Sequence, residues 1–154
     1  MMVDAPPFER TALTVAQDKA RDTLISDATY CALGGGSRSG KTYVLVRQVI
    51  VRALKAAGSR HAIFRFRFNS LKASVILDTF PKVIRDQFPE LAGKIKWNKT
   101  DWFVTFPNGS EIWFGGLDDA DRVEKILGME FATEYFNECS QIPYHSVTTA
   151  LTRL

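Results

Sequence analysis

"ALGGGSRSGKTYVL", residues 32–45, sets four glycines and three serine or threonine hydroxyls around one lysine, between two apolar runs. Glycine loses more backbone freedom on ordering than any other residue, so such a cluster weakens a regular element. It is retained where the main chain itself must come close to a ligand. Gly35, Gly40, Lys41 and Thr42 satisfy G-x-x-x-x-G-K-[ST], the spacing of a phosphate-binding P-loop. A triphosphate needs many donors at short range, and consecutive backbone N–H groups at a helix start supply them with a favourable dipole. The spacing therefore predicts nucleotide binding by Gly35, Gly36, Ser37, Arg38, Ser39, Gly40, Lys41 and Thr42. Lys41 would reach the β- and γ-phosphates, and the Thr42 hydroxyl would complete the coordination of Mg²⁺, so ATP and Mg²⁺ are the implied cofactors.

The flanks agree with this reading. "ATYCAL" at 28–33 fits a strand buried on both faces, and 41–58 reads as a helix with Gln48, Arg52 and Lys55 turned to water and Gly58 as its stop. "HAIFRF" at 61–66 reads as a second strand, and 70–91 as helix, with Ser70 a candidate cap and Pro81 a kink or restart. Strand, helix, strand, helix implies a parallel unit in an α/β layer fold. Asn108-Gly109, between alternating apolar runs over 102–114, is a hairpin signal. "DDADRVEK" reads as a charged loop or short helix, "MEFATEYFNE" at 129–138 as a strand ending in acids, and "SVTTALTRL" as a helix cut by the chain end. Cys31 and Cys139 both fall in segments that read as buried strand or strand end, so they are expected to be core thiols with no bridge or metal.

A chain of 154 residues, 45% apolar and 12% aromatic, is long enough for one domain with a real core. Residues 1–26, with Pro6 and Pro7 and a short helix within 14–27, form a lead, and 27–154 the core domain. No apolar run approaches the roughly 18 residues of a membrane helix, and the start lacks a secretory layout, which points to a cytosolic setting. The net charge of +3 is too mild for an independent nucleic-acid binder.

Hydrolysis also needs an acid near the γ-phosphate, at the end of a neighbouring strand. Tyr135-Phe136-Asn137-Glu138 gives an apolar approach followed by two polar residues where a Walker B segment would have Asp-Glu. Glu138 is the candidate that orients or deprotonates the attacking water. Asn137 stands at the metal-assisting position, where a neutral amide holds Mg²⁺ less strongly. Alternatively Glu138 caps the following helix, or Glu130 or Glu134, on the same side of an ideal strand, is the acid.

Four stretches, "GGGSRSGKT", "FPNGSEIWFGGLDD", "GMEFATEYFNECSQI" and "LTRL", together resemble the ATPase domain of the large terminase subunit of tailed bacteriophages, the motor that packages DNA into capsids. The resemblance spans roughly residues 17–154 and covers the N-terminal portion of that protein only. It implies an α/β P-loop NTPase of the ASCE type, a mainly parallel central sheet flanked by helices with a β-hairpin insertion, incomplete at the C-terminus. By position, Gln17 matches the glutamine that reads adenine, against which stands a plain solvated helix residue. Arg38 matches a loop arginine that stabilises charge on the γ-phosphate, and Arg122 an arginine that reaches the next subunit's nucleotide. The implied partners are double-stranded DNA through the full-length protein, the portal, the small terminase subunit and further copies in a ring, with no membrane, in the host bacterium's cytoplasm. Family members add further strands, a coupling motif and in most cases a nuclease domain, so this chain reads as a fragment or a truncated remnant. A small P-loop kinase and a nucleotide-binding module without turnover are the alternatives. Arg60, Arg65, Arg67, Lys72, Lys82 and Arg85 form a candidate patch for DNA phosphates.

Overall fold

Four consecutive buried residues, His61 to Phe64, place strand β1 (Arg60–Arg65) at the centre of the sheet. A strand paired on both edges and covered on both faces reads as an unbroken apolar run. In the structure, a computed structural model that describes residues 10–154, β1 pairs in parallel with β4 (Glu111–Gly116) on one edge and β5 (Thr133–Phe136) on the other. β3 (Phe103–Thr105) runs antiparallel to β4, and β2 (Lys96–Asn98) antiparallel to β3. The result is a five-stranded mixed sheet of order β2-β3-β4-β1-β5. The expected hairpin is present, with Gly109 at φ +81, and it supplies two interior strands, β3 and β4.

Helices cover both faces. α1 (Val15–Leu24) opens on a capping box: Thr14 Oγ1 accepts from the Gln17 amide, and Gln17 Oε1 accepts from that of Thr14. α2 (Lys41–Lys55), α3 (Phe68–Leu71) and α4 (Phe80–Gln87) enclose the main core with Ile63, Val104, Ile112 and Phe114. α5 (Ala120–Leu127) and α6 (Tyr144–Leu151) border a smaller core around Phe64, Ile126, Phe131 and Ala150 on the opposite face. Between α3 and α4 the chain widens into a π-helical stretch, Lys72–Thr79, where Phe80 N–H bonds to Val75 O, five residues back. Pro81 follows in the first turn of α4, so it restarts a helix whose missing N–H needs no partner there.

Several expectations are corrected. Residues 28–33 form no strand: the segment is largely exposed and makes no ladder, because β5 ends the sheet and no described residue pairs with its outer edge. With that strand absent, Cys31 is exposed, and Cys139 is exposed too, in the turn after β5. β5 covers only 133–136 of the expected 129–138, since Glu138 leaves the extended region at φ +53. Gln48 is buried, because α1 and α4 as well as the sheet pack against α2, leaving Arg52 and Lys55 in water. The cap before the 70–91 helix is Arg67, not Ser70, the helix having begun three residues earlier. α6 ends at Leu151, with Thr152 as its C-cap. Pro6 and Pro7 lie outside the described residues.

The hairpin turn has a second task. Asn108 Nδ2 donates to Ala53 O (2.9 Å) and Leu54 O (3.3 Å), the last carbonyls of α2, while its Oδ1 accepts from Ser110 N and Oγ. Two of these bonds tie the turn to the helix whose first turn carries Lys41, and the other two brace the turn itself. Removing a side chain that satisfies buried carbonyls costs about 1–3 kcal/mol. Asn108→Ala is expected to lose stability in that range, measured by urea unfolding.

Candidate functional site

The loop before α2 has the local geometry its glycines allow. Gly35 and Gly40 sit at φ +151 and +78, conformations L side chains rarely adopt, and a Cβ on Gly40 would lie 2.6 Å from Gln17 Nε2. Gly40 takes the N-cap position with no side-chain cap, so the amides of Lys41, Thr42 and Tyr43 leave the helix start without intrahelical acceptors. Lys41 Nζ folds back onto the loop, donating to Gly35 O (2.7 Å), Gly36 O (2.7 Å) and Ser39 Oγ (2.8 Å). The ammonium therefore occupies the concavity that the loop encloses. This arrangement fits a polyphosphate: free amides at a helix start, a cation in the cradle, and backbone that tolerates close approach.

The acid-bearing strand meets this loop. β5 alternates, so Thr133 and Tyr135 face α2 while Glu134 and Phe136 face the smaller core. Asn137 continues the ladder through its N–H to Phe64 O (2.7 Å), is 4% exposed, and its Oδ1 accepts from Thr42 Oγ1 at 3.4 Å. Tyr135 OH donates to the same oxygen at 3.0 Å. Glu138, left-handed at the strand's end, pairs with Arg65 at 2.9 Å, and Arg65 is held in turn by Ser74 Oγ. Mg²⁺ keeps several waters and takes few protein ligands, so one hydroxyl beside an amide oxygen suits it. No group of three or more His, Cys, Asp or Glu that could hold a metal occurs among the described residues.

Other candidates are placed apart. Gln17 lines a crevice of about 110 Å³ with Leu33, Ser39 and Gly40, beside the loop, but one lone pair of its Oε1 is already engaged by Thr14. Ser37 and Arg38 form the exposed loop tip, Arg38 at φ +60. Arg122 stacks on Phe68 (4.2 Å), lies 3.7 Å from Asp119, and lines a second cleft with Asn69 and Asp118. The candidate DNA patch is divided, since Arg60, Arg65 and Arg85 pair with Glu111, Glu138 and Asp86 and Lys72 lies over Trp102. Glu130 is exposed ahead of β5.

Residues 32–154 match the family described as terminase large subunit, T4likevirus-type, N-terminal. The chain belongs to that family. Among solved structures it is similar to the large terminase of a thermophilic bacteriophage, at 18% identity and TM-score 0.72, over 93% of this chain and 36% of that one. The same terminase in complex with ADP matches at 17% identity and TM-score 0.73, over 92% and 36%. Its ATP-γ-S complex matches at 18% and 0.66, over 92% and 35%. The chain thus spans about a third of the length of these terminases. Among curated proteins nothing matches it.

Two residues of this terminase chain's site were not assigned to it by sequence reasoning. Arg65 lies at the carboxyl end of β1, where open α/β sheets place ligands, and that position was the available signal. Tyr135 looked like part of an apolar approach, and only its hydroxyl hinted otherwise.

Glu134 is set apart from the loop. Both its carboxyl oxygens are buried without a partner, and burial pushes its pKa from 4.5 up to about 7. Between those values the unfolded chain is ionised while the folded carboxyl keeps its proton, so this group lowers stability as pH rises. His61, pushed down to about 4 by burial and then by Arg52, acts in the opposite sense between pH 4 and 6.5 and cancels in a comparison with parent. Glu134→Gln is expected to gain stability over the parent progressively from pH 4.5 to 7, read by urea unfolding at a series of pH values.

Proposed function

We propose that this chain is the ATP-binding and ATP-hydrolysing module of a viral DNA-packaging motor. The observation that carries the reading is Lys41 closing the cradle of Gly35, Gly36 and Ser39 at the start of α2, with Thr42 bonded to Asn137 at the end of β5. Family membership supports it, as do the nucleotide complexes of the similar phage terminase.

In this reading the loop amides and Lys41 bind the β- and γ-phosphates, Lys41 exchanging neutral carbonyls for a polyanion. Mg²⁺, when bound, would neutralise charge across the phosphate oxygens, with Thr42 and Asn137 as the residues that hold it, Asn137 acting through the Thr42 hydroxyl that donates to it. Glu138 positions a water and accepts its proton at Oε1, Oε2 being held by Arg65. A bond forms from the water oxygen to the γ-phosphorus as the bond to the β,γ-bridging oxygen breaks, and ADP leaves with that electron pair. Arg38 stabilises charge on the γ-phosphate from the loop tip, Gln17 contacts the adenine edge with its unused amide valences, and Arg122 serves a neighbouring subunit. In the full-length protein, turnover drives double-stranded DNA into the capsid from the host cytoplasm, in a ring with the portal and small subunit. Among the described residues no helix is long and apolar enough to cross a membrane.

One observation favours a second reading, nucleotide binding without turnover by this chain: the ion pair with Arg65 at 2.9 Å ties the Glu138 carboxylate down and restricts where its free oxygen can meet a water. Titration calorimetry and phosphate release separate the two. Lys41→Ala is expected to weaken Mg²⁺-ATP binding at least about tenfold, the value of a charge-assisted contact. Glu138→Gln is expected to bind as the parent does and release no phosphate. Parent-like release by Glu138→Gln would remove Glu138 from the role, and no release by the parent, with binding intact, would support the second reading.

A further inference from the structure

We propose that Tyr135 is a positioning residue for the metal site: its hydroxyl fixes the Asn137 amide with the oxygen toward Thr42, so that Thr42 keeps its lone pairs for the cation. This rests on the reading of residues 35–42 as a nucleotide cradle. An amide side chain can present either its oxygen or its NH₂ to a neighbour. If Asn137 presented NH₂, it would consume a lone pair of Thr42 Oγ1 and turn a positive dipole toward the metal. With the oxygen presented, Thr42 donates its proton to Asn137 and both hydroxyl lone pairs stay available.

The geometry supplies what selects the second orientation. Asn137 Oδ1 accepts from both Thr42 Oγ1 (3.4 Å) and Tyr135 OH (3.0 Å), filling its two acceptor sites. A phenol is a better donor than acceptor, because conjugation with the ring withdraws its oxygen lone pair. Tyr135 therefore favours the amide oxygen over the NH₂. It packs against the main core. Asn137 is 4% exposed, so water does not readily substitute for either partner. Alternation along β5 places 135 and 137 on one side of the strand, toward α2.

The test measures binding of a fluorescent ATP analogue to the whole chain, in EDTA and across a Mg²⁺ titration. Tyr135→Phe is expected to match the parent in EDTA within about twofold and to raise the Mg²⁺ concentration for half-saturation by roughly 2- to 12-fold, the equivalent of one neutral hydrogen bond. An unchanged Mg²⁺ midpoint overturns the proposal. Equal weakening in EDTA and in Mg²⁺ also overturns it, since a merely structural role would act on both. In the Asn137→Asp background a carboxylate has no NH₂ to present, so Tyr135→Phe is expected to shift the Mg²⁺ midpoint by less than about twofold. An undiminished shift there overturns the orientation argument. Failure of the parent itself to bind the analogue would overturn the cradle reading as well, a result distinct from a parent that responds to Mg²⁺ and a variant that responds identically.

Discussion

One hydrogen bond, from Thr42 to Asn137 across 95 residues of sequence, joins the two halves of the site. It exists because β5 lies parallel to β1 in a single register, Ile63 opposite Tyr135 and Phe64 opposite Phe136. A slip of one residue would turn Tyr135 and Asn137 into the smaller core and bring Glu134 and Phe136 under α2. The aromatic pattern opposes such a slip. Phe64 packs against Phe136 at 5.5 Å and edge-on to Phe131 at 6.1 Å, contacts available only with these side chains on the α5 and α6 side. The site's polar geometry is thus fixed by apolar residues that take no part in it.

A second constraint operates at the carboxyl ends of β1 and β4. Gly116 has no room for a side chain, since a Cβ would lie 2.7 Å from the backbone nitrogen of Phe68. That approach lets Asp118 accept from Phe68 N–H and starts α3 directly after β1, which carries Arg65 and brings Ser74 within reach of it. Arg65 in turn anchors Glu138, a non-glycine residue in the left-handed region, at a cost of about 1–3 kcal/mol. Its support is the ladder bond of Asn137 on one side and the Gln141 N–H bond to Glu138 O on the other.

What was legible in the sequence follows from how local each signal is. The helix start at Lys41, the hairpin at Asn108-Gly109 and the central strand at 61–66 depend on residues within a few positions of one another, and all three are present. The strand expected at 28–33 depends on a neighbour to pair with, and apolar composition alone does not supply one. The alignment of Glu130, Glu134 and Glu138 on one side presumes that the strand stays extended, which the left-handed turn at Glu138 breaks. Gln17 illustrates a third case. Thr14 and Gln17 form the T-x-x-Q capping pattern, a local signal that competes with the two other roles the residue type allows, adenine reader or solvated side chain. The Arg65–Glu138 contact joins residues 73 positions apart, a separation across which opposite charge alone selects no partner.

The cradle is stable without a ligand because its cation is already satisfied. Lys41 donates to three oxygens at 2.7–2.8 Å, so the loop need not store strain to keep the ammonium in place. A polyphosphate entering the loop must break those bonds, and exchanging one set of hydrogen bonds for another of equal strength would gain nothing. The gain comes from charge: all three present acceptors are neutral, whereas phosphate oxygens are anionic, and charge-assisted bonds are roughly twice as strong. The same exchange frees the carbonyls of Gly35 and Gly36, which the exposed loop returns to water at little cost. With the loop as the nucleotide cradle proposed above, selectivity for polyanions would follow from what Lys41 already holds, since a neutral ligand could at best match the loop's own oxygens.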